Sequence, residues 1–170
     1  MDFFVVPTVT FRVLFVLMLL AHERQRVLHV NITEQPTAQQ VVDAFPWDEA
    51  PRDLLRDRDR IYGTTYRQRV KHLGITEVVR APRSPWQHPY VERLIESIRR
   101  DLLDQVIVRN EAHLRRLLQS YGDYDPRFRT HLALAMDCPQ PRPVHAPVRG
   151  KVGAVPEVGG LHHHDERGAA

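Results

Sequence analysis

The chain has 170 residues, of which 42% are hydrophobic and 26% charged, with a net charge of +3 and a pI of about 9.3. These values are typical of one globular domain that is large enough to bury a core. Cys138 is the only cysteine, which excludes a disulfide framework and a cysteine-rich zinc site within the chain and fits a reducing cytoplasm. Only Lys71 and Lys151 are lysines. The arginine content suits phosphate contacts, although a GC-rich genome explains it equally well.

The apolar stretch 3–20 resembles a membrane-spanning segment at first sight. Arg12 near its middle and Pro7 in its first part are each costly in a lipid-facing helix, and Asp2 stands where a signal peptide carries positive charge. The β-branched and aromatic residues favour strands instead. We therefore predict an antiparallel meander with no membrane partner, and membrane insertion is the alternative. Its strands are predicted at 2–7, 11–20 and 27–33.

Short helical and strand patterns alternate through the next part of the chain. Thr37 is a candidate N-cap for a helix over 33–45, and Gly74 is a C-terminal stop for a helix over 66–73. Asn110 is a candidate cap for a helix that precedes the aromatic segment 121–134. Strands are predicted at 52–57 and 75–79, and a further helix at 90–104. The order βββ-α-β-α-β-α by itself indicates only a mixed α/β domain.

Carboxylates stand at the ends of several of these predicted elements. Asp57 follows an apolar pair at the end of a strand, and Glu92 lies in the first turn of the helix at 90–104, with 34 residues between them. Asp2 heads the first strand. Carboxylates that converge attract divalent metal, and their hard oxygens suit Mg²⁺ or Mn²⁺. The pattern therefore predicts a carboxylate metal site.

Each of these carboxylates also has a purely structural explanation. Asp57 belongs to the run RDRDR, where it can be a surface turn residue, and Asp59 in the same run is the competing ligand. Glu92 would stabilise a helix N-terminus by about 0.3–1 kcal/mol, and Glu96 lies one turn further along the same face. Asp57 and Glu92 are therefore the candidate ligands, with Asp59 and Glu96 as the alternatives.

The residues around Glu92 resemble the catalytic core of DDE-type transposases and retroviral-like integrases, particularly the enzymes of bacterial insertion sequences. In that family the third carboxylate belongs to a motif N-x-x-x-E, with a basic residue seven positions later. Glu92 and Arg99 match this motif, whereas His88 occupies the Asn position. The resemblance covers roughly residues 2–135. It implies a ribonuclease-H-like α/β fold with a mixed five-stranded sheet and flanking helices.

The resemblance also implies an activity, which is metal-dependent DNA cleavage and strand transfer by a transposase or integrase. Asp2, Asp57 and Glu92 would be the catalytic residues and would hold two Mg²⁺ or Mn²⁺ ions. The partners would be DNA and further copies of the chain assembled on it, in the bacterial cytoplasm or nucleoid. The DNA-binding residues would be Arg99, Arg100, His88 and Trp86.

The ends of the chain bear on whether it is active. We expect residues 1–138 to form a catalytic core that is shorter at its N-terminus than its relatives, and the Pro- and Gly-rich residues 139–170 to form a flexible tail. The histidines 162–164 lack the spacing of a built metal site, so we expect only adventitious metal binding there. The alternative function is an inactive transposase remnant that binds DNA only through its arginines.

Overall fold

An antiparallel sheet begins the computed structural model, which describes residues 1–20, 27–35, 51–56, 63–79, 89–130, 135–140, 146, 148 and 150–168. Strands β1 (Asp2–Pro7), β2 (Val13–Leu20) and β3 (Val27–Thr33) pair in the order β1-β2-β3. Residues 3–20 are therefore β1, a turn and β2, and the predicted meander is confirmed. Within the described ranges, no helix is long and apolar enough to cross a membrane.

A parallel strand pair with a helical crossover follows. It comprises β4 (Asp53–Arg56), α1 (Thr64–His72) and β5 (Thr76–Val79). Gly74 ends the crossover helix with a φ of +72°, a conformation that glycine adopts without steric cost. The Met1 amine donates a hydrogen bond of 2.7 Å to the Leu55 carbonyl and so links β1 to β4. The five strands thus combine antiparallel and parallel pairing, and they are hydrogen-bonded as a group of three and a group of two.

Two longer helices complete the predicted elements. Helix α2 (Pro89–Asp101) is followed by a 3-10 turn at Leu103–Gln105, and α3 (Glu111–Phe128) is capped by Asn110, whose side chain accepts from the His113 N–H at 2.9 Å. We expected this helix to stop before the segment 121–134, but it continues through Pro126. Tyr121 is buried and Tyr124 half-buried on the face of α3 that meets the core, so packing extends the helix beyond its sequence signals.

The β1-β2-β3 sheet carries a hydrophobic cluster on each of its two faces because successive strand residues point to opposite sides. On the first face, β1, β2 and β3 residues such as Phe4, Val16 and Ile32 pack against α2 and α3. On the second face, Leu17 and Leu19 pack with Leu54 of β4, with α1 and with Ile75, which directly precedes β5. Helices α1 and α2 therefore lie on opposite faces of the sheet.

A β-hairpin forms the last described part of the chain, where we expected a flexible tail. Strands β6 (Lys151–Glu157) and β7 (His162–Gly168) pair antiparallel. Val158, between them, is only 3% exposed and belongs to the same cluster as α2 and α3. The expectation of a tail was wrong for residues 151–168, because composition does not record the contacts that this hairpin makes with the helices.

One prediction lies largely outside the described residues. Of the helix predicted over 33–45, only the first three residues are described. The strand predicted over 52–57 is confirmed as β4, and only its last predicted residue, Asp57, lies outside the described residues. The boundary between core and tail at residue 138 stays a prediction.

Candidate carboxylate site

A shallow groove of about 270 Å³ separates the start of β1 from α2. One wall is formed by the first three residues of β1, and the other by one face of α2. Its polar lining consists of Asp2, Glu92, Glu96 and Arg99, and its apolar lining of Phe3, Phe4 and Ile95. The fold therefore brings two of the predicted ligands, which are 90 positions apart in the sequence, to one groove.

Asp2 is placed by the register of β1. It pairs with Met18 of β2 and points to the same face as Phe4, which is the face that α2 covers. The half-buried carboxylate accepts a hydrogen bond of 2.8 Å from the Phe3 N–H. Burial lowers the pKa of the Met1 amine to about 6, although the Asp2 charge opposes this shift. At pH 7 that amine is mostly uncharged, so it neutralises little of the negative charge at the head of β1.

Helical spacing places the opposite wall. Glu92, Glu96 and Arg99 recur at i, i+4 and i+7 and so share one face of α2. Ile95 and Ile98, on the adjoining face, are buried against the sheet and fix the rotation of the helix about its axis. Glu92 is half-buried at the sheet, whereas Glu96 and Arg99 are exposed.

The two arginines predicted to contact DNA differ in position. Arg99 lines the groove, and among the described residues it makes no ion pair. Arg100 is turned about 100° further around the helix and is absent from the groove lining. Its Nε lies 2.9 Å from Asp101 Oδ1, so its charge is partly compensated at the end of α2.

The carboxylates of Asp2, Glu92 and Glu96 line the groove, and carboxylate oxygens are ligands that Mg²⁺ and Mn²⁺ prefer. The part of the chain that the structure describes contains no group of three His, Cys, Asp or Glu side chains arranged to hold a metal ion. These carboxylates are chemically suited to bind such an ion, but the described residues alone do not form a complete metal site.

Several of the predicted site residues lie outside the described residues. Asp57 and its competitor Asp59 follow β4, and Trp86 and His88 precede α2. The last described residue before Asp57 is Arg56, which ends β4 beside the Met1 amine.

A buried arginine at the end of β4 was not foreseen from the sequence. Arg56 is only 2% exposed, and its Nε and Nη2 donate to Glu77 Oε2 on β5 at 3.0 and 2.7 Å. Its guanidinium also lies 5.6 Å from the ring centroid of the buried Tyr66 on α1. In the sequence, Arg56 is one member of the charged run RDRDR, so no local signal marks its burial.

The three consecutive histidines are divided by the strand alternation of β7. His162 stacks on Tyr124, with ring centroids 4.8 Å apart, and its Nε2 lies 2.8 Å from the Asp101 carbonyl oxygen. His164 stacks on Phe128 at 3.9 Å, and its Nδ1 lies 3.0 Å from Glu157 Oε1. His163 is exposed. In the described residues these side chains belong to no metal-binding group, and two of them hold the hairpin against α3.

Cys138 is buried in the described segment 135–140. Its Sγ donates to the Gln140 carbonyl at 3.2 Å and lies 3.6 Å from Asp137 Oδ1. The sequence predicts no catalytic role for this thiol, and no histidine hydrogen-bonds to it among the described residues.

Comparisons with known proteins give a family match for part of the chain. Residues 73–139 match the family described as "Integrase core domain". This segment contains Glu92, Glu96 and Arg99, whereas Asp2 and Asp57 lie before it. No curated protein has a sequence detectably similar to this chain.

Solved structures give the fold. One similar chain comes from a cryo-EM structure of the simian T-cell lymphotropic virus intasome in complex with PP2A regulatory subunit B56 gamma. It aligns over 96% of this chain and 64% of its own length, with a TM-score of 0.55 and 14% identity. The catalytic core domain of BIV integrase aligns over 72% of this chain and 70% of its own, with a TM-score of 0.42 and 19% identity. The first likeness establishes the ribonuclease-H-like α/β fold.

Proposed function

We propose that this chain catalyses metal-dependent DNA cleavage and strand transfer, because residues 73–139 match the family described as "Integrase core domain". Asp2, Asp57 and Glu92 are the proposed catalytic residues and metal ligands. The observation that carries the proposal is the groove in which Asp2 of β1 meets Glu92 of α2. It supports the proposal because Glu92 lies inside the matched segment and Asp2 reaches the same groove from outside it.

The protein would contribute the negative charge and the position of the ligands. The Phe3 N–H orients the Asp2 carboxylate, and the buried face of α2 holds Glu92 against the sheet. Two bound Mg²⁺ or Mn²⁺ ions would activate the attacking oxygen and stabilise the leaving oxygen of a phosphodiester. Arg99 would bind a phosphate of the DNA beside them, as a cation at the exposed end of the groove.

Asp57 is included in this proposal because it directly follows β4 in the sequence. It follows Arg56 directly, and β4 ends beside the Met1 amine at the head of β1. The proposed partners are DNA and further copies of the chain assembled on it, and the proposed location is a bacterial cytoplasm or nucleoid.

A second candidate function is DNA binding without catalysis, by an inactive transposase remnant. The observation that favours it is Arg99, a groove-lining cation with no ion pair among the described residues. Phosphate binding by this side chain needs no metal and no third carboxylate.

Thermal unfolding with and without several millimolar Mn²⁺ tests the metal site before any DNA end is known. A ligand that binds only the folded state stabilises it by RT ln(1 + [L]/Kd), which is about 2.7 kcal/mol at 100 times Kd. We expect Mn²⁺ to raise the Tm of the wild type and to raise that of Glu92→Gln much less. Without metal, the variant should be as stable as the wild type or more stable, because one repelling carboxylate charge is removed.

Glu111→Gln is the matched control, since Glu111 occupies the first turn of α3 as Glu92 does in α2. It should keep the full response to Mn²⁺. Nicking of supercoiled plasmid with Mn²⁺ should likewise be lost in Glu92→Gln and Asp57→Asn and kept in Glu111→Gln. A wild type that binds DNA but neither responds to Mn²⁺ nor nicks plasmid would select the non-catalytic alternative. Equal Mn²⁺ responses in both Gln variants would refute the assignment of Glu92.

A further inference from the structure

The exposed face of α1 is basic and has no acidic side chain. Its exposed residues include Arg67, Gln68, Lys71 and His72, and residues 60–76 contain neither Asp nor Glu. Arg67 and Lys71 are four residues apart and so are neighbours on the helix surface. Like charges at this spacing destabilise a helix by about 0.2–0.5 kcal/mol, so the pair adds nothing to the stability of α1 itself.

Helices α2 and α3 differ from α1 because they carry acidic residues that pair with some of their cations, although Arg99, Arg116 and Arg127 make no ion pair among the described residues. Arg100 pairs with Asp101 at 2.9 Å, Arg115 with Glu111 at 2.8 Å, and Arg129 with Asp101 at 3.0 Å. Among the described residues, Arg67 and Lys71 make no ion pair. The first acidic residue after α1, Glu77, accepts two short hydrogen bonds from the buried Arg56. The positive charge of α1 therefore faces solvent.

The fold holds this basic face rigidly. Tyr66 and Val70, which lie about 100° around α1 from Arg67 and Lys71, are each only 1% exposed and pack with Leu17, Leu54 and Ile75. Because the helix rises 1.5 Å per residue, Arg67 and Lys71 are about 6 Å apart along its axis. Two cations in a fixed row suit the regular phosphates of a nucleic acid strand, whose contacts supply most of the non-specific binding energy.

We propose that α1 is a second DNA-contact surface, which binds the phosphate backbone of duplex DNA through Arg67 and Lys71. This inference rests on the proposed function, in which DNA is joined to DNA and two segments must be held. Helix α1 covers one face of the sheet, whereas the carboxylate groove lies beside α2 on the other. The segment bound by α1 is therefore distinct from the segment in the groove.

The salt dependence of DNA binding measures how many phosphates the protein contacts. The logarithm of the binding constant falls with the logarithm of salt concentration, with a slope of about −0.9 for each phosphate neutralised. We expect the slope for Arg67→Gln/Lys71→Gln on a fluorescent duplex of arbitrary sequence to be shallower than that of the wild type by about 2. Glutamine keeps the helix propensity of the residues that it replaces.

Arg116→Gln/Arg127→Gln is the matched control, because both arginines are exposed on α3 and make no ion pair among the described residues. It removes the same charge from another helix and should leave the slope within about half of one phosphate contact. Thermal unfolding of every variant confirms that it is folded. Equal slopes for the two double variants would show that only net charge matters and would overturn the proposal, as would an unchanged slope for the α1 variant.

The stoichiometry of binding tests whether the two DNA segments are distinct. With a duplex too short to reach from one face of the sheet to the other, we expect the wild type to bind two duplexes, Arg99→Gln to weaken one of these binding events and the α1 variant to weaken the other. A single duplex per chain, weakened by both changes, would overturn the claim of a separate segment. The inference and the proposed function can fail separately: an α1 effect without Mn²⁺-dependent nicking refutes catalysis alone, and nicking without an α1 effect refutes the second surface alone.

Discussion

Arg56 is a charged side chain that the fold has removed almost completely from water. Its guanidinium is satisfied by Glu77 and lies near the face of Tyr66, so three neighbouring elements, β4, β5 and α1, meet around one positive charge. Burial raises the pKa of the Tyr66 hydroxyl, a shift that the Glu77 charge increases and the Arg56 charge opposes. An ion pair of this kind adds little net stability over an apolar cluster, but it is costly to break.

We expect Arg56→Ala to destabilise the chain by about 3–5 kcal/mol. The substitution leaves Glu77, whose side chain is only 17% exposed, without its cation and opens a cavity beside Tyr66. Urea unfolding followed by circular dichroism measures the loss, and Arg67→Ala on the exposed face of α1 should change stability by no more than about 0.5 kcal/mol. A loss below about 1 kcal/mol for Arg56→Ala would mean that this charge is not held as described.

The C-terminal hairpin is attached to the helices by a few side chains of β7 and of the turn before it. His162 stacks on Tyr124 of α3 and reaches the last carbonyl of α2, while Val158 enters the hydrophobic cluster. Val158 has a φ of +51°, an unusual conformation for a β-branched residue, and the two glycines after it are also in the left-handed region. Burial of the Val158 side chain offsets that strain.

We expect His162→Ala to destabilise the chain by about 1–3 kcal/mol, because it removes a ring stack and a hydrogen bond. His163→Ala is the matched control, since the neighbouring histidine is exposed and should contribute little. Limited proteolysis of the native protein should cut the His162→Ala hairpin faster than that of the control. If both variants were cut at the same rate, the stack on Tyr124 would not be what holds the hairpin.

Asp101, the last residue of α2, connects this helix to α3 and to β7. Its carboxylate contacts Arg129 and Tyr121 near the end of α3, and its carbonyl contacts His162 of β7. Burial raises the pKa of the Asp101 carboxyl, but the hydrogen bond from Arg100, the charges of Arg129 and Arg100 and the hydrogen bond from Tyr121 together lower it below its ordinary value. The ionised form is therefore stabilised in the folded state.

A carboxyl whose pKa is lowered on folding contributes stability above its unfolded pKa, near 3.9, and loses it as the pH falls through its folded pKa. We expect Asp101→Asn to cost about 1–2 kcal/mol at pH 7 and much less at pH 3. Urea unfolding at both pH values measures this, with Asp104→Asn, an exposed carboxylate nearby, as the control. A loss that is the same at both pH values would contradict the role of the Asp101 charge.

Much of the secondary structure follows from local patterns. The strands of the meander come from β-branched and aromatic runs, Asn110 caps α3 as its side chain predicts, and Gly74 ends α1 because its φ is positive. The spacing of Glu92, Glu96 and Arg99 determines that they share a helix face whatever the tertiary fold. These features depend on neighbours within about one or two turns, which the sequence states directly.

Other features depend on partners that are distant in the sequence. Asp2 and Glu92 line one groove because α2 packs on the first face of the sheet. The rotation of α2 about its axis determines that Arg99 lines this groove and that Arg100 does not. The burial of Arg56 cannot be predicted from its neighbours in the sequence, because its partner Glu77 lies on another strand. The packing of residues 151–168 on the helices cannot be predicted either, because this Pro- and Gly-rich segment contacts Tyr124 of α3. Local propensity therefore determines the helices and strands and the charged face of α2. Only long-range packing determines which charged residues lie together and which are buried.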